Sequence, residues 1–460
     1  MFSSLTVALA AWGCGSEAAD EPAPPPRHFV LISIDTLRAD RLGSYGHDRD
    51  TSPNLDAFAE RSLVFTDASA SASNTAPSHM SMFTGLAPPV HGVFNVQFKQ
   101  GKPVAATLLS PAMTTIAEHL QQAGFATAAF TDGGYLTPEM QFDRGFEHFD
   151  RRPESAAAKV DRALAWLEQQ DPSQPMFLFV HTYEVHAPYL PPLEHDLYTD
   201  ADYAGPLRAV VDQMRALKGH VGPRLAGSFL PKPGEVGPDD VRFLSDLYDG
   251  GVHSTDQAIG RLLDALDGPR WGDDTAVLVL SDHGEALGEH DDLDHAALFR
   301  SVTHVPFVLH VPGGPVGRRD APVSGVDVLP TVLDVLGLPA PDLCDGSSVL
   351  GTLPPDRPLV AYNDNPATGG GTSLRVGSDQ LVRHWSGLPW VHFDLAADPG
   401  QGAPLPADQG TGARLVDLVG EMAARQEQVG QLLGRGLEGD AELSAETLRQ
   451  LEALGYLGDH

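Results

Sequence analysis

The stretch His28-Phe29-Val30-Leu31-Ile32-Ser33-Ile34-Asp35 decides the fold. The unbroken apolar run at 29–32 leaves no polar face, which is how a strand buried on both sides of a parallel sheet reads. It closes on a carboxylate, Asp35, at the end of the strand where open α/β sheets gather their functional groups. Outward from it, Ser52-Pro53 has the form of an N-cap and first helical residue, and Leu55, Phe58 and Ala59 supply an apolar helical face. Ile116, Leu120 and Ala123 do the same before Gly124. Strand-like runs follow at 126–130, 176–180, 276–280 and 306–309. Ile259, Leu262, Leu263 and Leu266 recur at helical spacing, as do Leu329, Val332, Leu333 and Leu336 before Gly337. Strands alternating with helices predict a doubly wound α/β sheet.

Beyond about Asp345 the texture changes. Pro- and Gly-rich segments bracket short strand candidates at 372–376, 380–384 and 390–393, so a smaller C-terminal sheet is expected. Residues 401–412 read as a loop, followed by one helix and a last short one running from Ser444 to Gly455. The expected organisation is an N-terminal segment 1–27, a catalytic body 28–345 and a small C-terminal domain 346–460 with its terminal helices.

The chain has 460 residues, with 62 acidic against 30 basic side chains and a formal net charge of −32. Nucleic acid is excluded as a partner, because polyanion binding needs a clustered Lys/Arg surface. A small anionic substrate would be repelled as well, so it needs a local positive centre built from metal ions, His or Arg. The two cysteines, Cys14 and Cys344, cannot make a disulfide framework. Met1 to Gly13 is mostly apolar and small and ends in Ala11-Trp12-Gly13-Cys14, which resembles a bacterial lipoprotein signal with Cys14 as the lipidated residue. It lacks the usual Lys or Arg at its start, and a plain tail is the competing reading. The Pro-rich 15–27 stretch then reads as a tether, and the expected location is exported, in the periplasm or cell envelope. Nothing else is long and apolar enough to cross a membrane.

Two strands end in carboxylates, the first at Asp35 and the 276–280 run at Ser281-Asp282-His283-Gly284. An Asp-His pair there offers oxygen and nitrogen ligands to a divalent metal. Alone, each is equally well a turn residue. The deciding segment is Asn74-Thr75-Ala76-Pro77-Ser78-His79, continuing to Thr84-Gly85. It resembles the signature of the sulfatase family within the alkaline phosphatase superfamily, in which C-x-P-S-R precedes an apolar helical turn and Thr-Gly. Further segments resemble the family in order. They are Asp35-Thr36-Leu37-Arg38-Ala39-Asp40, Glu184-Val185-His186-Ala187-Pro188-Tyr189, Asp282-His283-Gly284-Glu285, Val326-Asp327-Val328-Leu329-Pro330-Thr331, and Phe393-Asp394-Leu395 with Asp398-Pro399.

The resemblance implies an alkaline-phosphatase-like fold and a hydrolase. Its departures imply the chemistry. Thr75 stands where sulfatases carry the Cys or Ser that becomes formylglycine, and neither Cys14 nor Cys344 lies in such a motif, so no formylglycine is expected. His79 replaces the motif arginine, and Thr131-Asp132-Gly133-Gly134-Tyr135-Leu136 stands where the family has its Lys- and His-bearing segment. The implied site is a divalent metal (Mn, Zn or Ca, one ion or two) held by Asp35, Asp282, His283 and Thr75, with Thr75 as nucleophile. His186 and His295 bind ester oxygens, protonate the leaving group or ligate a second ion, and His79 contacts Thr75 or the substrate or caps the helix. The expected substrate is a small anionic ester or a sulfated or phosphorylated glycan or lipid. Two other readings stay open: a transferase moving a phospho-alcohol group onto an envelope glycan, and a binding lipoprotein whose site has decayed. Specificity is expected in the irregular 189–239 stretch and in the small domain.

Overall fold

The computed structural model describes residues 24–95, 97–99, 102–104, 106–216, 236–363, 369–436, 440–441 and 443–454. The Cys14 lipid-anchor reading, residues 217–235 of the expected specificity stretch, and Gly455 lie outside them. No helix among the described residues is long and apolar enough to cross a membrane.

The main sheet has eight strands. In chain order they are β1 (His28–Ile34), β2 (Leu63–Ser69), β3 (Ala126–Phe130), β4 (His148–Asp150), β5 (Met176–Thr182), β6 (Thr275–Leu280), β7 (Phe307–His310) and β8 (Gly317–Ser324). The spatial order is β8-β2-β7-β6-β1-β5-β3-β4. β1 lies between β5 and β6, parallel to both and buried along its whole length, as its apolar run requires. Its side chains alternate between two cores. Phe29 and Leu31 face one, with Met80, Phe83, Ile116 and Leu329, while Val30, Ile32 and Ile34 face the other, with Phe58, Val160, Ile259 and Leu262. Each such side chain contributes roughly 1.5–3 kcal/mol by burial, so the period-two alternation of β1 is what fixes helices on both faces. Only β7 runs antiparallel, to β2 and to β6. The 281–306 connection holds no helix longer than Arg300–Thr303, too short for the crossover that a parallel return needs.

Helix α1 (Pro53–Glu60) begins after Ser52, as the sequence indicates, but the Ser52 side chain does not cap it. The cap comes from Asp256 on the long helix Pro238–Leu266, whose carboxylate accepts from Asn54 N at 3.2 Å and Leu55 N at 2.8 Å. Gly260 on the same helix lets the two approach, since a Cβ there would lie 2.5 Å from Asn54 Cγ. Asp256→Ala is expected to cost about 1–2 kcal/mol, read as a lower urea midpoint, with Asp256→Asn retaining most of the stability through its amide oxygen.

The second sheet has five antiparallel strands: β9 (Leu359–Tyr362), β10 (Gly370–Val376), β11 (Asp379–Trp385), β12 (Val391–Asp394) and β13 (Leu405–Pro406). Leu374 and Leu381 pack against Leu415 of the helix Gly410–Leu432, while Ala361, Val382 and Phe393 pack against Leu298. The stretch read as a loop thus contains β13 and the first turn of that helix.

Candidate active site

Three adjacent parallel strands deliver the site. β1 leads into Asp35, β6 leads towards Asp282-His283, and β5 carries His181 just before Tyr183 and His186. The helix α2 (Thr75–Thr84) brings its first residue, Thr75, against this edge, and every residue of that helix is buried. Thr75 Oγ donates to Asp35 Oδ2 at 3.3 Å. Ser78 Oγ donates to the Asp282 carbonyl at 2.7 Å, so the helix start is pinned to both carboxylate-bearing strands.

The turn after β1 is strained. Thr36, β-branched, sits at φ 56°, a conformation that costs about 1–3 kcal/mol. It turns Thr36 N–H onto Asp282 Oδ1 at 3.3 Å, and Leu37 N–H onto Ser281 Oγ at 3.0 Å. Tyr248, from the long helix, holds the turn in place: its hydroxyl donates to Thr36 O at 2.6 Å and accepts from Arg38 N–H at 3.0 Å. Arg38 pairs with Asp40 and Glu289 and donates to Glu285 O, tying down the loop beyond His283.

Asp35, Asp282 and His283 present ligand atoms that all lie within 4.8 Å of one another, and all three residues are buried. Asp35 Oδ1, Asp282 Oδ2 and His283 Nε2 have no hydrogen-bond partner. His283 Nδ1–H donates to Gly284 O at 3.0 Å, which leaves Nε2 with its lone pair facing the carboxylates. Burial and the Asp282 charge push the Asp35 carboxyl well up from its usual range. Against the cost of its own burial, Asp282 is held down to about 2 by the neighbouring His283, His79 and His181. Orphaned buried polar atoms are costly, and oxygen and imidazole donors of this kind suit a divalent cation. The residues present therefore fit the metal that the sequence motifs imply.

The histidines surround this cluster. His181, which the sequence reading passes over, places Nε2 3.1 Å from Asp35 Oδ2. Its signal is faint: a single polar ring directly after the apolar run Met176 to Val180. His79 is fully buried, donating through Nδ1 to Thr75 O at 2.9 Å and meeting Ser33 Oγ at Nε2, also at 2.9 Å. Both ring nitrogens of His79 thus face protein atoms, beneath Thr75. His283, His295 and His186 form a row, with ring centroids 4.6 Å and 5.3 Å apart. Burial alone would lower His295, but Asp294 and Glu285 outweigh it and push it up to about 9, whereas burial and His295 push His186 down to about 3. Asn363, next to β9, donates to Ala296 O and His384 O and accepts at its carbonyl from Asn74, so the small sheet is stitched to both the Thr75 and His295 segments.

The sulfatase family's sequence profile matches residues 27–338. A protein of Escherichia coli K12 described as the uncharacterized sulfatase YidJ is 25% identical over 73% of this chain and 73% of its own. The multifunctional alkaline phosphatase superfamily protein PehA of Trinickia caryophylli is 28% identical over 56% of each chain. Among solved structures, the phosphonate monoester hydrolase of Agrobacterium radiobacter superposes with a TM-score of 0.68 at 22% identity, covering 88% of this chain and 96% of that one.

Proposed function

The chain belongs to the sulfatase family and is a sulfatase-like hydrolase, and from that premise we propose that it cleaves sulfate or phosphate-type esters with a divalent metal and a covalent ester on Thr75. The observation that carries this reading is the convergence of Thr75 Oγ, Asp35, Asp282 and His283, with three buried ligand atoms that make no hydrogen bond. When bound by these four residues, a divalent cation supplies charge stabilisation and eases loss of the hydroxyl proton. Asp35 aligns Thr75 Oγ for attack. His295, the cationic ring of the row, and His186 face the ester oxygens and the leaving group.

Formylglycine chemistry has no place in this reading. Cys344 lies at the far end of α2, its thiol directed to Gly85 O. A formylglycine hydrate expels sulfate by re-forming its aldehyde, whereas a threonyl ester leaves only when water attacks sulfur or phosphorus a second time. The charge of the site also selects. Lys159 and Arg38, which back it, are already paired with Asp132 and with Asp40 and Glu289. That modest positive charge suits a singly charged tetrahedral ester: a sulfate monoester, phosphate diester or phosphonate monoester. We assign the natural ester to a small molecule, glycan or lipid in the cell envelope, reached by a protein anchored through Cys14. Lipid labelling lost in Cys14→Ala tests the anchor.

The test of function uses chelator-stripped protein reloaded with Mn, Zn or Ca. Turnover of 4-nitrophenyl sulfate, bis(4-nitrophenyl) phosphate and a phosphonate monoester is compared, with acid-quenched mass analysis of the Thr75 peptide. Metal-restored turnover with an ester on Thr75 is expected, and the preferred substrate decides between sulfur and phosphorus. Full activity after stripping sinks the reading, and turnover that depends on an added alcohol acceptor replaces it with a transferase.

A further inference from the structure

We propose that the small domain carries a second ligand site, a cavity beneath the helix Gly410–Leu432 that binds an organic anion with an apolar body, its charged end held by Arg383.

The site follows from the pleat of the second sheet. Tyr362, Thr372 and Arg383 stand directly opposite one another on β9, β10 and β11, as do Val360, Leu374 and Leu381 two residues along. Both rows therefore lie on one face, which the helix Gly410–Leu432 covers. At one end Leu415 fills the space against Leu374 and Leu381. Val419, Met422 and Gln426 continue the same helical stripe. There the space is left open, as a cavity of about 420 Å³ that also reaches Phe94.

This cavity lies apart from the catalytic groups. Side chains alternate along a strand, so Ala361, Val382 and Asn363 point the other way, onto Leu298 and Ala296 next to His295. The small sheet itself stands between the cavity and the His295 segment.

Arg383 decides the ligand. Its guanidinium packs over the Trp390 ring, with Cζ 4.4 Å from the centroid. Its Nε is nevertheless buried without a hydrogen bond, and no carboxylate among the described residues pairs with it. A buried donor is costly to leave unmade. In a chain with 62 acidic and 30 basic side chains an unpaired arginine is also against the odds. The other arginine lining the cavity, Arg435, is paired with Glu427. A guanidinium fork selects an oxyanion. Gln426 gives its Oε1 to Tyr362 O–H at 2.8 Å, so the group it has left for a ligand is its amide N–H2. Val360, Val419, Met422 and Phe94 supply apolar wall that suits a hydrocarbon chain or ring. Apolar walls with a few converging donors make a small-molecule site rather than a seat for a bare inorganic ion.

The test is calorimetric titration of the metal-loaded protein with hexanesulfonate, a probe that has both parts and no ester to cleave, alongside 1-hexanol and inorganic sulfate. Saturable binding of hexanesulfonate is expected, about tenfold or more tighter than either partial probe. Arg383→Met keeps a side chain against Trp390 and removes the charge. It should weaken hexanesulfonate by about 10–100-fold, the worth of a charge-assisted hydrogen bond. It should leave 1-hexanol binding unchanged, which also reports that the variant is folded. Met422→Trp keeps Arg383 and fills the cavity, and should abolish binding of both; if it does not fold, Arg383→Met remains the deciding comparison. Stripping the metal with chelator should change nothing. Hexanesulfonate binding that survives Arg383→Met, or that disappears with the metal, places the anion elsewhere and overturns the proposal. So does inorganic sulfate binding as tightly as hexanesulfonate, or no saturable binding at all.

Discussion

Thr75→Ala is expected to lower kcat by ~10⁴–10⁶-fold, the scale seen when a nucleophile that acts as part of a unit is removed. The other three metal-binding residues and the fold should survive. Thr75 is the first residue of α2, where alanine is a good helix former. Asp35 Oδ2 keeps its contact with His181, and the Asp282 carboxylate keeps its backbone donors at Thr36 and His283. The lost hydrogen bond costs about 1 kcal/mol. Calorimetric titration should therefore still show metal binding, weakened by the loss of one of the four ligands, while turnover and the trapped ester vanish. Thr75→Ser keeps the hydroxyl and retains measurable turnover. Activity of Thr75→Ala within about tenfold of wild type, less than 1.4 kcal/mol of barrier, would require a water nucleophile and overturn the covalent scheme.

How much of this was open to a reader of the sequence depends on what each residue faces. β1 is legible because burial on both sides writes an uninterrupted apolar run. β2 and β8 are not, since Thr66 and Asp67 interrupt one and Arg318, Arg319 and Asp320 open the other, which lies at the sheet edge. The reversed direction of β7 is set by the lack of a crossover helix, a property of the connection rather than of the strand. In the site, Asp35, Thr75, Asp282 and His283 stand in recognisable local patterns, and the structure brings them together. His181, Tyr248 and Asn363 act through tertiary contacts alone, with partners 146, 212 and 67 positions away. The same holds for Asp256, whose cap reaches across 201 positions to a helix whose own Ser52 looked sufficient.

Lys159→Met is expected to destabilise the protein by roughly 3–5 kcal/mol, the cost of stranding one member of a buried ion pair. In the helix Ala156–Gln169, Lys159 shares the buried face with Ala156, Val160, Ala163 and Leu167 and has no exposed surface. Its Nζ lies 2.5 Å from Asp132 Oδ1. Methionine fills a similar volume, so the loss is electrostatic rather than a cavity. Burial already pushes the Asp132 carboxyl up, with Lys159 the chief opposing charge; removing that charge raises it further. The sign follows: the deficit is largest above the raised pKa and shrinks as the pH falls through it towards the ordinary carboxylate range, because Asp132 then takes a proton. Asp132→Asn in the same chain removes the stranded charge and keeps an acceptor for Tyr183 N–H, so the double variant should recover most of the urea midpoint. The recovery should be incomplete, because both Asp132 oxygens accept backbone N–H groups, from Glu154 at 3.1 Å and from Tyr183 at 2.9 Å, and an amide offers only one oxygen. A Lys159→Met protein as stable as wild type at pH 8 would show that the pair contributes nothing net.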